Sequence, residues 1–148
     1  MAPRMLFWWL VTLAWAAEIF YLSTPTFSGS FSQSLLTQFL DSLHLSVSPD
    51  ILDLLDSMLR KFAHLTEYAI FGLLLYGSVG GQDGYRWRPR LAYWCVMVAS
   101  AYSLTDELHQ VFSPGRHLSL IDRAIDASGA AIAMLLVYGS SRVFCCDR

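Results

Sequence analysis

Lys61, His64 and Tyr68 recur at spacings of three and four residues. A helix through them presents all three on one stripe, with Glu67 beside it. Glu107 and Gln110 lie three apart, and Asp122 and Asp126 four apart, so each pair also shares a helix face. Arg116 follows Pro114-Gly115 in the turn between the two pairs. Converging guanidinium, ammonium and imidazole groups suit a phosphate or carboxylate, and the arginine fork can bind it bidentately. An imidazole and a carboxylate can exchange a proton with substrate where burial tunes them toward neutral pH. The candidate catalytic residues are therefore His64 and Glu107 for acid–base work, with Asp122 orienting a cation. The candidate substrate-binding residues are Lys61, Tyr68, Gln110, Arg116 and Asp126. No nucleophile stands out, because Ser113 and Ser119 are explained by a turn and a helix cap. His64, His109, Glu107 and Asp122 lack an HExxH or CxxC spacing, so neither a metal nor a cofactor is expected.

The chain that must position these groups is strongly apolar. Of its 148 residues 55% are hydrophobic and 14% aromatic, and its mean hydropathy is +0.43. Several stretches are apolar all round, which indicates a polytopic membrane protein rather than a soluble bundle. A net charge of −2 with no basic stripe argues against nucleic acid as a partner. Cys95, Cys145 and Cys146 have no metal-ligand or disulfide spacing.

The expected fold is all-α, a single domain over residues 1–148. It has four transmembrane helices, at about 5–22, 61–79, 91–110 and 119–139. One or two interfacial helices fill the 23–60 connection, where Phe31, Leu35, Phe39 and Leu43 fall at helical spacing. Ser48-Pro49-Asp50 supplies a helix start, with a capping residue, a proline at the first helical position and an early acid. The first apolar run has a positive start at Arg4 but no clear cleavage site, and Glu18 interrupts it, so it reads as a retained span.

Taken singly, each polar residue has an ordinary explanation. Lys61 can snorkel, His64 can pack through a hydrogen bond, Glu18 can sit at an interface and Asp122 can cap a helix. Together they do not scatter. With four crossings, the end of the first span, the start of the second, the end of the third and the start of the fourth share one membrane side. Those ends carry Glu18, then Lys61, His64, Glu67 and Tyr68, then Glu107 and Gln110, then Asp122 and Asp126. Ionisable groups cost roughly 2.5–3.5 kcal/mol each at mid-bilayer on insertion scales, so they are expected to converge on an inward-facing hydrated pocket. Arg4, Arg86, Arg88, Arg90, Arg142 and Arg148 fall on the opposite side, six of the ten Lys and Arg. The positive-inside rule then places both termini in the cytoplasm of a multi-pass cell-membrane protein, with the pocket opening outward.

Lys61-x-x-His64-x-x-x-Tyr68, then Glu107-x-x-Gln110, Pro114-Gly115-Arg116, and Asp122 with Asp126 and Gly129 resemble the VanZ-like membrane family. The likeness covers most of the chain. It implies a small polytopic membrane protein. The family's named member is associated with reduced susceptibility to the glycopeptide teicoplanin, which acts at the outer face of the membrane. The resemblance attaches no reaction. Two positions depart from the family pattern: Arg60 stands where an acid commonly precedes the lysine, and Asp126 where an Asn is common. The expected partners are membrane lipids, including an anionic lipid or lipid-linked cell-envelope intermediate. Two functions follow from the same charges. One is a membrane enzyme acting on that lipid. The other is a non-catalytic lipid- or antibiotic-binding protein, or a small structural partner, whose buried charges form an ion-pair network that locks the bundle.

Overall fold

The computed structural model describes residues 3–24, 29–80, 86–111 and 120–145, and all regular structure among them is helical. The elements are α1 (Pro3–Leu22), α2 (Gly29–Ser42), α3 (Pro49–Gly80), α4 (Pro89–Val111) and α5 (Leu120–Cys145). α3 is the hub and packs against each of the other four helices.

The expected break between an interfacial helix at 50–59 and a span at 61–79 is not there. α3 runs unbroken for 32 residues, about 48 Å at 1.5 Å per residue. The physical reason lies in Met58-Leu59-Arg60-Lys61-Phe62. Composition turns polar here, but nothing in the run stops a helix, since it contains neither glycine nor proline. The other end of the expected start holds: α3 begins at Pro49, and the Leu52 amide donates to the Ser48 carbonyl at 3.0 Å. α2 stops where His44 turns left-handed, at φ 57°. The His44 amide donates to the Asp41 carbonyl and the Leu45 amide to the Leu40 carbonyl, each at 3.0 Å. This pair of bonds is a Schellman closure with histidine in the place glycine usually takes.

Helix directions follow from the contacts. Thr12 of α1 meets Ser78 of α3, and Trp15 meets Glu67, so α1 and α3 are antiparallel. His64 meets Asp126, while Gly72 lies against Ala130 and Ala133, so α3 and α5 are parallel. α4 runs against both, joining Ser103 to Asp126 near one end and Gly80 to Leu91 near the other.

The core is built of aromatic residues from α3 set into small residues from its neighbours. Tyr68, Phe71, Leu75 and Tyr76 pack against Ala92, Cys95 and Ala99 of α4 and Ala130, Ala133, Met134 and Val137 of α5. Glycine lets α3 and α5 approach closely. A Cβ on Gly129 would collide with the Leu65 carbonyl oxygen and come within 3.1 Å of the Ala69 amide nitrogen. Small residues at such crossings are the usual means of packing helices in lipid.

Large apolar side chains face outward instead. Phe7, Leu10 and Leu13 on α1, Tyr93, Trp94 and Met97 on α4, and Leu135 and Leu136 on α5 are all exposed. Among the described residues, α1 alone is long and apolar enough to cross a membrane by length and composition, with a mean hydropathy of 1.6. α3, α4 and α5 contain the stretches expected to span, but α3 is far longer than its expected 61–79, and none of the three meets that test among the described residues.

Candidate functional site

The centre of the polar cluster is Asp126. It is 3% exposed, at the junction of α3, α4 and α5. Ser103 of α4, itself buried, donates its hydroxyl to Asp126 Oδ2 at 2.5 Å. His64 of α3 places Nδ1 3.4 Å from Asp126 Oδ1. A carboxylate buried this deeply is costly unless it is paired and hydrogen-bonded. Three helices share that burden. The His64 side chain remains 28% exposed, so the imidazole stands between the buried acid and the surface.

One turn along α3, Tyr68 is fully buried and meets Phe71 edge-on, at 6.3 Å between centroids and 87° between planes. Phe71 in turn contacts the Tyr102 ring at 5.2 Å. The Tyr102 hydroxyl donates to the Ala16 carbonyl at 2.6 Å, and the Trp15 indole donates to the Glu67 carbonyl at 3.0 Å. These two bonds fasten α1 beside the cluster. Next to them, Glu18 of α1 and Glu67 of α3 line an open groove of about 430 Å³.

The residues singled out in the sequence divide into three groups. His64, Tyr68 and Asp126 are brought to one place. Lys61 and Asp122 stand one turn outward on the same helices, Lys61 exposed and Asp122 half-buried. Arg116 and the expected cap Ser119 lie in residues 112–119, outside the described residues. The side chains of Glu107 and Gln110 also lie outside the described part of the structure, although the α4 backbone is helical through both positions. Among the described residues, no group of three His, Cys, Asp or Glu is placed to hold a metal ion.

Ser103 is the member of the cluster that the sequence reading did not name. Its signal was present: it lies four residues before Glu107 and seven before Gln110, on the same helical stripe. A second buried acid, Asp56 of α3, is 2% exposed, and Arg60 Nε lies 3.4 Å from its Oδ2.

At the opposite end of the bundle, the Tyr76 hydroxyl donates to the Arg86 carbonyl at 2.6 Å and accepts from the Arg88 amide at 2.8 Å. Trp87 packs edge-on against Tyr138, and the Arg142 guanidinium sits 5.2 Å above the Tyr138 ring. Arg86, Arg88 and Arg142 therefore gather at the end away from His64.

The family model described as VanZ/LLP1 matches residues 7–144 of the 148. The chain belongs to the VanZ/LLP1 family. No curated protein and no solved structure matches it. Proteins of the VanZ/LLP1 family are membrane proteins, and the lipid-suited exterior of this bundle agrees with that membership. The match takes in all five helices of this VanZ/LLP1 chain, apart from the outermost residues of α1 and α5.

Proposed function

We propose that this VanZ/LLP1 protein crosses the cell membrane four times, through α1, α3, α4 and α5, and that its polar pocket handles an anionic lipid or lipid-linked cell-envelope intermediate. The four helices have 20, 32, 23 and 26 residues, each enough for a hydrocarbon core of about 30 Å. Their directions alternate along the chain. The arginine-rich end, with Arg86, Arg88 and Arg142, faces the cytoplasm together with both termini, and the His64 end faces outward.

The observation that carries the pocket is the His64–Asp126 contact. Ser103 engages one carboxylate oxygen, which turns the other toward His64 Nδ1. An imidazole held this way has its Nε2 on the far side of the ring, where it can take or give a proton on a phosphate oxygen. Lys61, exposed one turn out on α3, and Arg116, which precedes α5 in the chain, supply positive charge for the headgroup. Glu107 and Gln110 occupy register positions one and two turns beyond Ser103 on α4, with Glu107 the second acid–base group. Asp122 orients a cation there.

A second reading rests on its own observation. Asp126 and Ser103 are both buried, and in this reading their bond serves to lock α4 to α5. His64→Gln and Arg116→Lys separate the two readings when each variant is scored for folded yield in detergent and for binding of phosphatidylglycerol and a polyprenyl phosphate. Folded variants that lose binding eliminate the lock. Variants that lose the fold remove the support for a headgroup site. Teicoplanin susceptibility of cells carrying each variant is the matching phenotype to measure.

A further inference from the structure

α3 is too long for the membrane it crosses. Its 32 residues reach about 48 Å, against a hydrocarbon core of about 30 Å. With the stretch 61–79 in the core, residues 49–60 stand beyond the outer surface. These turns cannot fold down onto the lipid, because no glycine or proline interrupts the helix between Pro49 and Gly72.

The projecting turns are two-faced. On one side Asp56 is buried, and Asp53 Oδ1 accepts a hydrogen bond from Gln33 of α2 at 2.7 Å. On the other side Ile51, Leu55, Met58 and Phe62 form a row, flanked by Leu54 and Leu59, and all six are between 38% and 66% exposed. The row advances by four, three and four residues, which is the 3.5-residue repeat of a seam that packs against a second helix. No charged residue falls within it.

We propose that this row is a homodimer interface, in which α3 of one copy pairs in parallel with α3 of a second copy just outside the bilayer. This pairing rests on the four crossings proposed above. Copies of one membrane protein insert the same way round, so their α3 helices are parallel. A two-fold axis along the membrane normal then sets like residues against like, and an uncharged apolar row is complementary to itself. Six half-exposed side chains of this size bring on the order of several hundred Å² per copy into contact, the scale of the roughly 800 Å² per partner in a standard interface. Lipid tails do not reach the row from Ile51 to Leu59, which lies beyond the hydrocarbon core.

The test uses the full chain in native membranes, with Cys95→Ala, Cys145→Ser and Cys146→Ser removing the native thiols and single cysteines introduced along α3. Under copper phenanthroline, Ile51→Cys, Leu55→Cys and Met58→Cys are expected to give disulfide-linked dimers, and Asp53→Cys is not. Leu55→Glu/Met58→Glu sets like charges across the axis and is expected to lose about tenfold or more in dimer affinity on dilution in lipid vesicles. Both side chains are already exposed, so the folded yield of that variant is expected to match the parent. Mixing Leu55→Glu chains with Leu55→Lys chains is expected to restore pairing between them. An impermeant maleimide applied to Asp50→Cys in intact cells separates the two ways of failing. An unlabelled Asp50→Cys overturns the outward placement of the α3 start and the pairing with it. A labelled Asp50→Cys without cross-linking along the row, or with Asp53→Cys cross-linking as strongly as Leu55→Cys, overturns the pairing alone and leaves lipid or another part of the chain as the cover of the row.

Discussion

Ser103 Oγ stands 2.5 Å from Asp126 Oδ2, and neither residue is more than 3% exposed. The bond joins α4 to α5 at the level where His64 reaches in from α3. Ser103 supplies the hydrogen bond to this buried acid, while His64 Nδ1 stands 3.4 Å from the other oxygen, a close approach without hydrogen-bond geometry.

Substitution at Asp126 is therefore expected to be graded. Asp126→Asn keeps an acceptor for Ser103 and removes the charge, so the fold should survive with a small change in thermal midpoint. Asp126→Ala leaves Ser103 and His64 facing a void, and breaking a buried pair in this way costs about 3–5 kcal/mol. Thermal unfolding in detergent, followed by size-exclusion chromatography, checks the order. An Asn variant as unstable as the Ala variant would show that the charge itself holds the bundle.

Three glycines form an internal series. A Cβ on Gly129 meets backbone on both sides, at the Leu65 carbonyl and the Ala69 amide. A Cβ on Gly72 reaches Ala130 Cα at 3.3 Å, and Gly139 has open space around it. Gly129→Ala should force α3 and α5 apart and cost about 1–3 kcal/mol, as overpacking does. Gly72→Ala should cost less. Gly139→Ala should be neutral or stabilising by up to about 1 kcal/mol, since alanine favours helix over glycine. Midpoints of the three single variants, measured side by side, decide the order.

Much of this was legible in the sequence, and the remainder has physical causes. The all-helical fold and the approximate limits of α1 and α4 followed from apolar runs, although α4 opens at Pro89, two residues before the expected 91. His64 and Asp126, which stand out by type as ionisable residues in apolar runs, do lie 3.4 Å apart across α3 and α5. Ser103 does not stand out, because a serine inside an apolar helix has many ordinary explanations, and only its partner across the bundle gives it meaning. The length of α3 was misread because hydropathy records where a helix meets lipid, not where its hydrogen bonding ends. Asp56 was hidden for a related reason: its neighbours Asp50 and Asp53 are exposed, and spacing alone does not separate it from them.

The Thr12 and Ser78 hydroxyls lie 2.7 Å apart, buried between α1 and α3. Each hydroxyl also lies 2.8 Å from a carbonyl of its own helix, Thr12 from Trp8 and Ser78 from Leu74, and with one proton apiece only one of them can donate to its carbonyl while the other donates across. Only one of the two can donate across the interface at a time, so the coupling should be modest. A double-mutant cycle of Thr12→Val and Ser78→Ala is expected to give about 0.6 kcal/mol, the average for hydrogen bonds between membrane helices. A coupling above about 2 kcal/mol would mean that this pair anchors α1.

Tyr76 offers a test of orientation that is independent of any ligand. Its hydroxyl holds the Arg86 carbonyl and the Arg88 amide, so it fixes the segment entering α4. Tyr76→Phe removes both bonds and leaves the ring in place, at a cost of about 1–3 kcal/mol for the two groups released. The released segment contains a trypsin site at Arg86, whereas Arg88 is shielded by Pro89. Faster cleavage there is expected in the variant than in the unaltered chain, and only in inverted vesicles, where the cytoplasmic face is outside. Cleavage in right-side-out vesicles would reverse the topology and place the His64 end in the cytoplasm. A variant cut no faster than the parent would show that the tyrosine bonds do not hold the segment.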